Sequence, residues 1–107
     1  MTNKEHLIEN GWSDLTGVDK IIHEPARLAV MTILEVVEST DFLYLQKATK
    51  LTKGNLSVHL QKLEGAELIE IQKTFQGKIP RTLCKLTMKG KEAFEQYKKQ
   101  MGQVLGK

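Results

Sequence analysis

The 107-residue chain has one cysteine, two prolines and no acidic side chain between Phe42 and Leu63. One cysteine excludes an internal disulfide and fits a reducing cytoplasm. No apolar run approaches the roughly 18 residues of a membrane span. The N-terminal "MTNKEHLIENGW" has no signal-peptide core. His6, His23 and His59 are scattered and Cys84 stands alone, so no metal site is expected, since ligands cluster at short spacings. There is no Ser/His/Asp or Cys/His arrangement, no phosphate-binding glycine loop and no carboxylate pair. The expectation is a protein that is not an enzyme and carries no cofactor.

What is present is an ordinary folding composition, 40% hydrophobic and 27% charged, in a length that suggests one domain. So short a chain buries a modest core, and a second copy would help stabilise it. The net charge of +3 is mild, but its distribution is not. Residues 1–41 carry −5, residues 42–91 carry +7 and residues 92–107 carry +1. A basic middle is the electrostatic footprint of a polyanion partner.

Residues 4–10 suggest a short helix and "SDLTGVDKII" a polar lead-in with helical turns. "EPARLAVMTILEVVES" predicts a strong helix over about 24–38, with Pro25 at the first helical position. Its apolar coat is wide enough to be buried on several sides. "STD" interrupts, with Thr40 or Asp41 able to cap a helix over about 42–49. Thr52 is placed to cap the next helix, about 53–66, and two short helices joined by a tight turn form a helix-turn-helix. After Leu68 the period becomes two: "IEIQKTF" and "PRTLCKLT" read as strands around Gly77. Thr87 then caps a last helix over 88–105, which Gly90 and Gly102 weaken by about 1 kcal/mol each relative to Ala. The fold class is mainly α with a small β-hairpin, in the order of a winged helix-turn-helix.

On a wheel of about 100° per residue, Leu56, Leu60 and Leu63 form the buried stripe of the third helix. Gly54, Val58, Gln61 and Lys62 lie opposite, with Asn55 and Ser57 on the flanks. His59 sits at the shoulder of the buried side, where a packed, hydrogen-bonded ring is expected. Short polar groups, a small apolar group and a Lys suit a major groove: Asn and Gln can pair with adenine, Val can touch a thymine methyl, and Lys can reach guanine or phosphate. Thr52 and Lys53 would hold backbone phosphate at the helix start. In the hairpin, Lys73, Lys78 and Arg81 would act along the backbone or in the minor groove.

"DFLYLQKATKLTKGNLSVHLQKLE", "F-x-G-K-x-P-R-T" and "KLTMKGKEAFEQY" together resemble the small winged-helix transcriptional regulators related to the MarR and ArsR groups, from about Glu24 to Met101. The resemblance implies a homodimer on a pseudo-palindromic operator in double-stranded DNA, with a recognition helix at 53–66 and a wing at about 69–87. It leaves room for a small-molecule effector. It divides the chain into an N-terminal extension (1–23), a winged-helix core (24–87) and a dimerisation helix (88–105). Dimerisation through the terminal helices would use Leu7, Ile8, Ile33, Val37, Phe94, Tyr97, Met101, Val104 and Leu105. The competing expectation is a winged helix used for protein–protein contact in a transcription or RNA-processing complex. One position departs from the family pattern. "LEGAELI" has Gly65 and Glu67 where the family reads Leu-Glu-x-x-Gly-Leu-Ile. Either Glu67 takes the left-handed conformation, or the helix exits another way with Gly65 loosening its last turn.

Overall fold

The computed structural model describes residues 19–106. The helix expected over 4–10, most of the lead-in, and Leu7 and Ile8 lie outside them.

Helix α1 spans Pro25–Val37. Pro25 starts it and the Glu24 carboxylate caps it, accepting from the Arg27 N–H at 2.8 Å. Val30, Met31 and Leu34 are its buried stripe. Strand β1, Ser39–Asp41, follows, then α2 at Phe42–Thr49 with Asp41 as its N-cap. The three residues read as an interruption are therefore also a strand. β1 gains its partner only in the tertiary fold, where Thr40 faces Cys84. Thr52 caps α3, Lys53–Gly65, through the Asn55 N–H. Strands β2 (Ile69–Gln76) and β3 (Ile79–Leu86) pair antiparallel, giving a sheet in the order β1-β3-β2. Helix α4, Met88–Val104, starts at its Thr87 cap. This is the expected winged helix-turn-helix.

Leu56, Leu60 and Leu63 of α3 meet Val30, Met31 and Leu34 of α1, Leu45 of α2, and Ile69, Cys84 and Leu86 of the sheet in one core. Phe94 and Tyr97 join it at 3% and 4% exposed. Expected on a face for a second copy, these two rings are already covered within one chain. His23 Nδ1 lies 2.8 Å from the Tyr97 hydroxyl, tying the segment before α1 to α4.

The exit from α3 settles between the two alternatives. Glu67 has φ 64°. Its N–H donates to Glu64 O at 2.8 Å, and the Leu68 N–H donates to Leu63 O at 3.0 Å. That pair of bonds is a Schellman motif with Glu in the position that favours glycine. The exit is then fixed from outside, because the Thr87 hydroxyl donates to Glu67 O and the Thr87 N–H to Leu68 O. Gly65 stays helical, with nothing within 4 Å of an added Cβ. Gly90 is different from the flaw expected of it. A Cβ there would stand 1.9 Å from the Leu68 carbonyl oxygen, so glycine is what lets α4 close on the chain leaving α3.

Candidate nucleic-acid interface

With the leucine stripe of α3 packed inward, the opposite side is open. Lys53, Gly54, Asn55, Gln61 and Lys62 are exposed, as is Thr52 at the cap. Val58 is 50% exposed, a β-branched apolar side chain held in water among polar neighbours. Ser57 is half-buried on the flank that faces the sheet.

That flank and the wing share a concavity. A cleft of about 650 Å³ opens between α2, α3 and the sheet, and Lys53, Ser57, Gln61, Lys73 and Thr82 are among its walls. Lys73, well removed in sequence, is thus on the same concave surface as the side of α3 that carries Ser57 and Gln61. Glu64 also lines it, at the point where the acid-free run ends. Asn55, Val58 and Lys62 are not among the cleft's walls, and Lys78 lies at the tip of the hairpin. None of Lys53, Lys62, Lys73 and Lys78 is ion-paired with another described residue. Their charge is available to a polyanion.

Arg81 is not in this group. Its guanidinium donates to Asp41 Oδ2 at 2.6 Å and to Gln76 Oε1 at 2.9 Å. Expected to reach out from the wing, it instead joins β3 to the residue that ends β1 and caps α2. The other Asp41 oxygen accepts the Tyr44 N–H at 2.8 Å. The Tyr44 amide, and after it the Arg81 guanidinium, hold the Asp41 carboxyl below its ordinary value of 3.8.

His59 also points inward. Arg27, 8% exposed, donates through Nε to Ile21 O at 2.6 Å and through Nη1 to His59 Nδ1 at 3.1 Å. Arginine has no acceptor, so in this contact Nδ1 is the accepting nitrogen. Glu24 Oε1 is 3.8 Å from the same nitrogen. The Arg27 amide, chiefly, and the charge of the Arg27 guanidinium keep the Glu24 carboxyl below its ordinary value. The packed, hydrogen-bonded role expected of His59 is the observed one.

Sequence reasoning missed three features. Thr82 of β3 joins the cleft, and only the pairing of Lys73 with Thr82 brings it there. Asp41 serves two elements at once. Phe75, expected as an ordinary strand residue, and Ile79, expected in the connection but found to open β3, are 69% and 68% exposed.

Among the residues expected to form a subunit contact, Ile33, Met101 and Val104 are half-buried, Val37 is 38% exposed and Leu105 is 70% exposed. Val36 beside them is 77% exposed. No three His, Cys, Asp or Glu among the described residues are grouped to hold a metal, and no described helix is long and apolar enough to cross a membrane. Cys84 is buried, and desolvation pushes its thiol up to about 11, so it is a packing residue rather than a nucleophile.

Comparison with known proteins gives this geometry a context. Residues 26–105 match the family described as winged helix DNA-binding domain. The chain is 37% identical over 79 residues to the uncharacterized protein MJ0432 of Methanocaldococcus jannaschii, covering 73% of this chain and 85% of that protein. A transcriptional regulator homologue from Pyrococcus horikoshii OT3 superposes with a TM-score of 0.77 at 25% identity, over 96% of this chain and 93% of that one. NadR, solved in complex with 4-hydroxyphenylacetate, superposes with a TM-score of 0.65 at 20% identity, over 99% of this chain and 82% of that one.

Proposed function

Because the chain belongs to the winged helix DNA-binding domain family, we propose that it is a sequence-specific, double-stranded DNA-binding regulator of transcription, working in the cytoplasm as a homodimer. The observation that carries this reading is the outer face of α3. It is exposed, polar and small in profile, it lies in a stretch that is acid-free from Phe42 to Leu63, and its Ser57–Gln61 flank shares a cleft with Lys73 of the wing.

In this reading α3 enters the major groove. Gly54 lets the backbone approach, Asn55 and Gln61 hydrogen-bond to base edges, and Val58 meets a thymine methyl. Ser57 and Lys62 bond to nearby bases and phosphates. Thr52 and Lys53 hold phosphate at the start of α3, where free backbone N–H groups and the helix dipole attract anions. Lys73 and Lys78 contact the backbone from the wing, while Arg81 contributes by fixing the wing against Asp41. The dimer uses what remains exposed on the terminal helices, Val37 and Leu105 above all, with Ile33, Met101 and Val104. Leu7 and Ile8 keep their place in this assignment. One structural relative holds 4-hydroxyphenylacetate; an effector for this chain, of unassigned chemistry, belongs to the same reading.

The test is duplex binding at two salt concentrations, followed by selection of bound sites from a random library. Affinity should fall with salt at a slope of about −0.9 per phosphate contact. Selection should return two related half-sites about 34 Å apart on one face of the DNA. Gln61→Ala should relax base preference, whereas Lys78→Ala should weaken all sequences alike. An unchanged ranking of sites in Gln61→Ala would defeat the base-reading assignment. No binding at low salt would defeat the DNA reading itself.

A further inference from the structure

The tip of the β2–β3 hairpin is apolar where solvent should have made it polar. Gln76 pairs with Ile79 and Phe75 with Pro80, leaving Gly77 and Lys78 as a two-residue turn. Gly77 has φ +65° and Lys78 is not left-handed, which fits a tight turn with glycine first. Side chains alternate faces along a strand. One face of the tip therefore carries Phe75 opposite Pro80, and the other carries Ile79 beside Gln76. Phe75 and Ile79 are more than two-thirds exposed, and neither belongs to the core or its packed margin. Lys73 lies two residues before Phe75 on the same face, and Lys78 forms the turn itself.

An exposed Phe and Ile on a hairpin carry a standing cost in water and invite association. Their setting selects the partner. The minor groove is a cleft about 6 Å wide, bordered by the phosphates of the two strands. The flanking charges, Lys73 and Lys78, are complementary to phosphates on both sides of such a groove. Minor-groove proteins insert Phe, Ile or Pro between base steps and kink the duplex, and Phe75, Ile79 and Pro80 are those residue types.

We propose that the wing tip is an apolar wedge for the DNA minor groove, with Phe75 pressed against a base step, Pro80 backing it, and Ile79 against the opposite wall. This rests on the DNA-binding reading and deepens it. It assigns the wing a shape-dependent role: flexible pyrimidine–purine steps in the flank would be favoured because they unstack most easily.

The experiment uses the full chain on its selected operator, with 2-aminopurine at successive flank positions. Wild-type binding should raise fluorescence at one flank step through unstacking. Phe75→Ala should abolish that rise and weaken binding roughly ten- to hundredfold, the scale of one lost buried aromatic. Its salt slope should stay at the wild-type value, because no phosphate contact is lost. Lys78→Ala should instead lower the slope by about 0.9 for each protomer, about 1.8 for the dimer, and keep the fluorescence rise. Ile79→Ser provides a second variant for the same comparison. Operator affinity within twofold of wild type in both apolar variants overturns the wedge, as does a wild-type complex with no fluorescence change at any flank position. A shift of Phe75→Ala from dimer to monomer in light scattering also overturns it, giving this face to a second copy. Failure of the wild type to bind any duplex is a failure of the DNA reading instead.

Discussion

At the scale of single residues, the clearest lesson concerns where the glycines are. Gly65 lies inside a helix with open space around its Cα, while Glu67 two residues later takes the left-handed conformation that costs an L-residue roughly 1 kcal/mol or more. Gly65→Ala should stabilise the fold by about 1 kcal/mol through helix propensity. Glu67→Gly should stabilise it too, by somewhat less, because relief of strain is partly offset by the greater freedom of the unfolded chain. Each kcal/mol should raise the melting midpoint by several degrees. Gly90→Ala should do the opposite, although the same propensity scale favours Ala. Its Cβ would overlap the Leu68 carbonyl at 1.9 Å, and backbone cannot step aside cheaply. Thermal melts of the three single variants check this directly. A Gly90→Ala protein as stable as wild type would mean that α4 does not close on the α3 exit as described. From the sequence, Glu67 was recognisable as a mismatch with the family pattern. Whether the chain kept the exit depended on bonds from Thr87, twenty residues away.

Among elements, the helices were legible because what starts and orients them is local: Asp41, Thr52 and Thr87 each cap within three residues, and the leucine stripe of α3 repeats every turn. The strand β1 was not, since three residues carry no period and its partner is β3. Arg81 was misplaced for the same reason. A cation on a wing suits phosphate equally well until the fold brings Asp41 to it from 40 positions away. That half-exposed pair contributes about 1 kcal/mol at most, but it links the wing to the helix-turn-helix, and so Asp41→Ala should weaken DNA binding without touching DNA. Asp41→Ala also loses the α2 cap, typically about 1 kcal/mol, so Asp41→Asn, which keeps a capping oxygen, is the sharper variant. The pH dependence has a definite sign. The folded carboxyl titrates below 3.8, so the unfolded chain binds more protons across that region. The stability it contributes is complete well above pH 4 and lost as pH falls through the lower folded value. Wild type and Asp41→Asn should therefore differ most near neutrality and converge toward pH 2 in thermal melts. A gap that stays constant across that range would assign the loss to packing rather than to charge.

For the whole molecule, the question is what covers the surface that one chain leaves bare. The radius of gyration is 16.2 Å, against about 13 Å for a compact chain of this size. Extents of 59 × 26 × 21 Å describe an elongated body with much surface for its volume. Helix α4 turned out to use part of its stripe internally: Phe94 and Tyr97 fill the core, and the Lys98 ammonium reaches Glu35 of α1 at 2.8 Å. A stripe in a sequence shows that a helix has something to bury, not whether its own chain or another buries it. Among the apolar side chains left exposed are Val36 and Val37 at the end of α1 and Leu105 just past the end of α4. If these faces meet across a two-fold axis, each substitution acts twice in the same interface. Light scattering should then give about twice the 12.1 kDa chain mass at tens of micromolar. Val36→Asp or Leu105→Asp should give the monomer with an unchanged far-ultraviolet spectrum, because neither side chain supports the core. Operator affinity should fall steeply in the same variants, since two half-sites would have to be held by separate molecules rather than one. A wild-type monomer at these concentrations would remove the terminal helices from the interface and leave each recognition helix to bind its half-site alone.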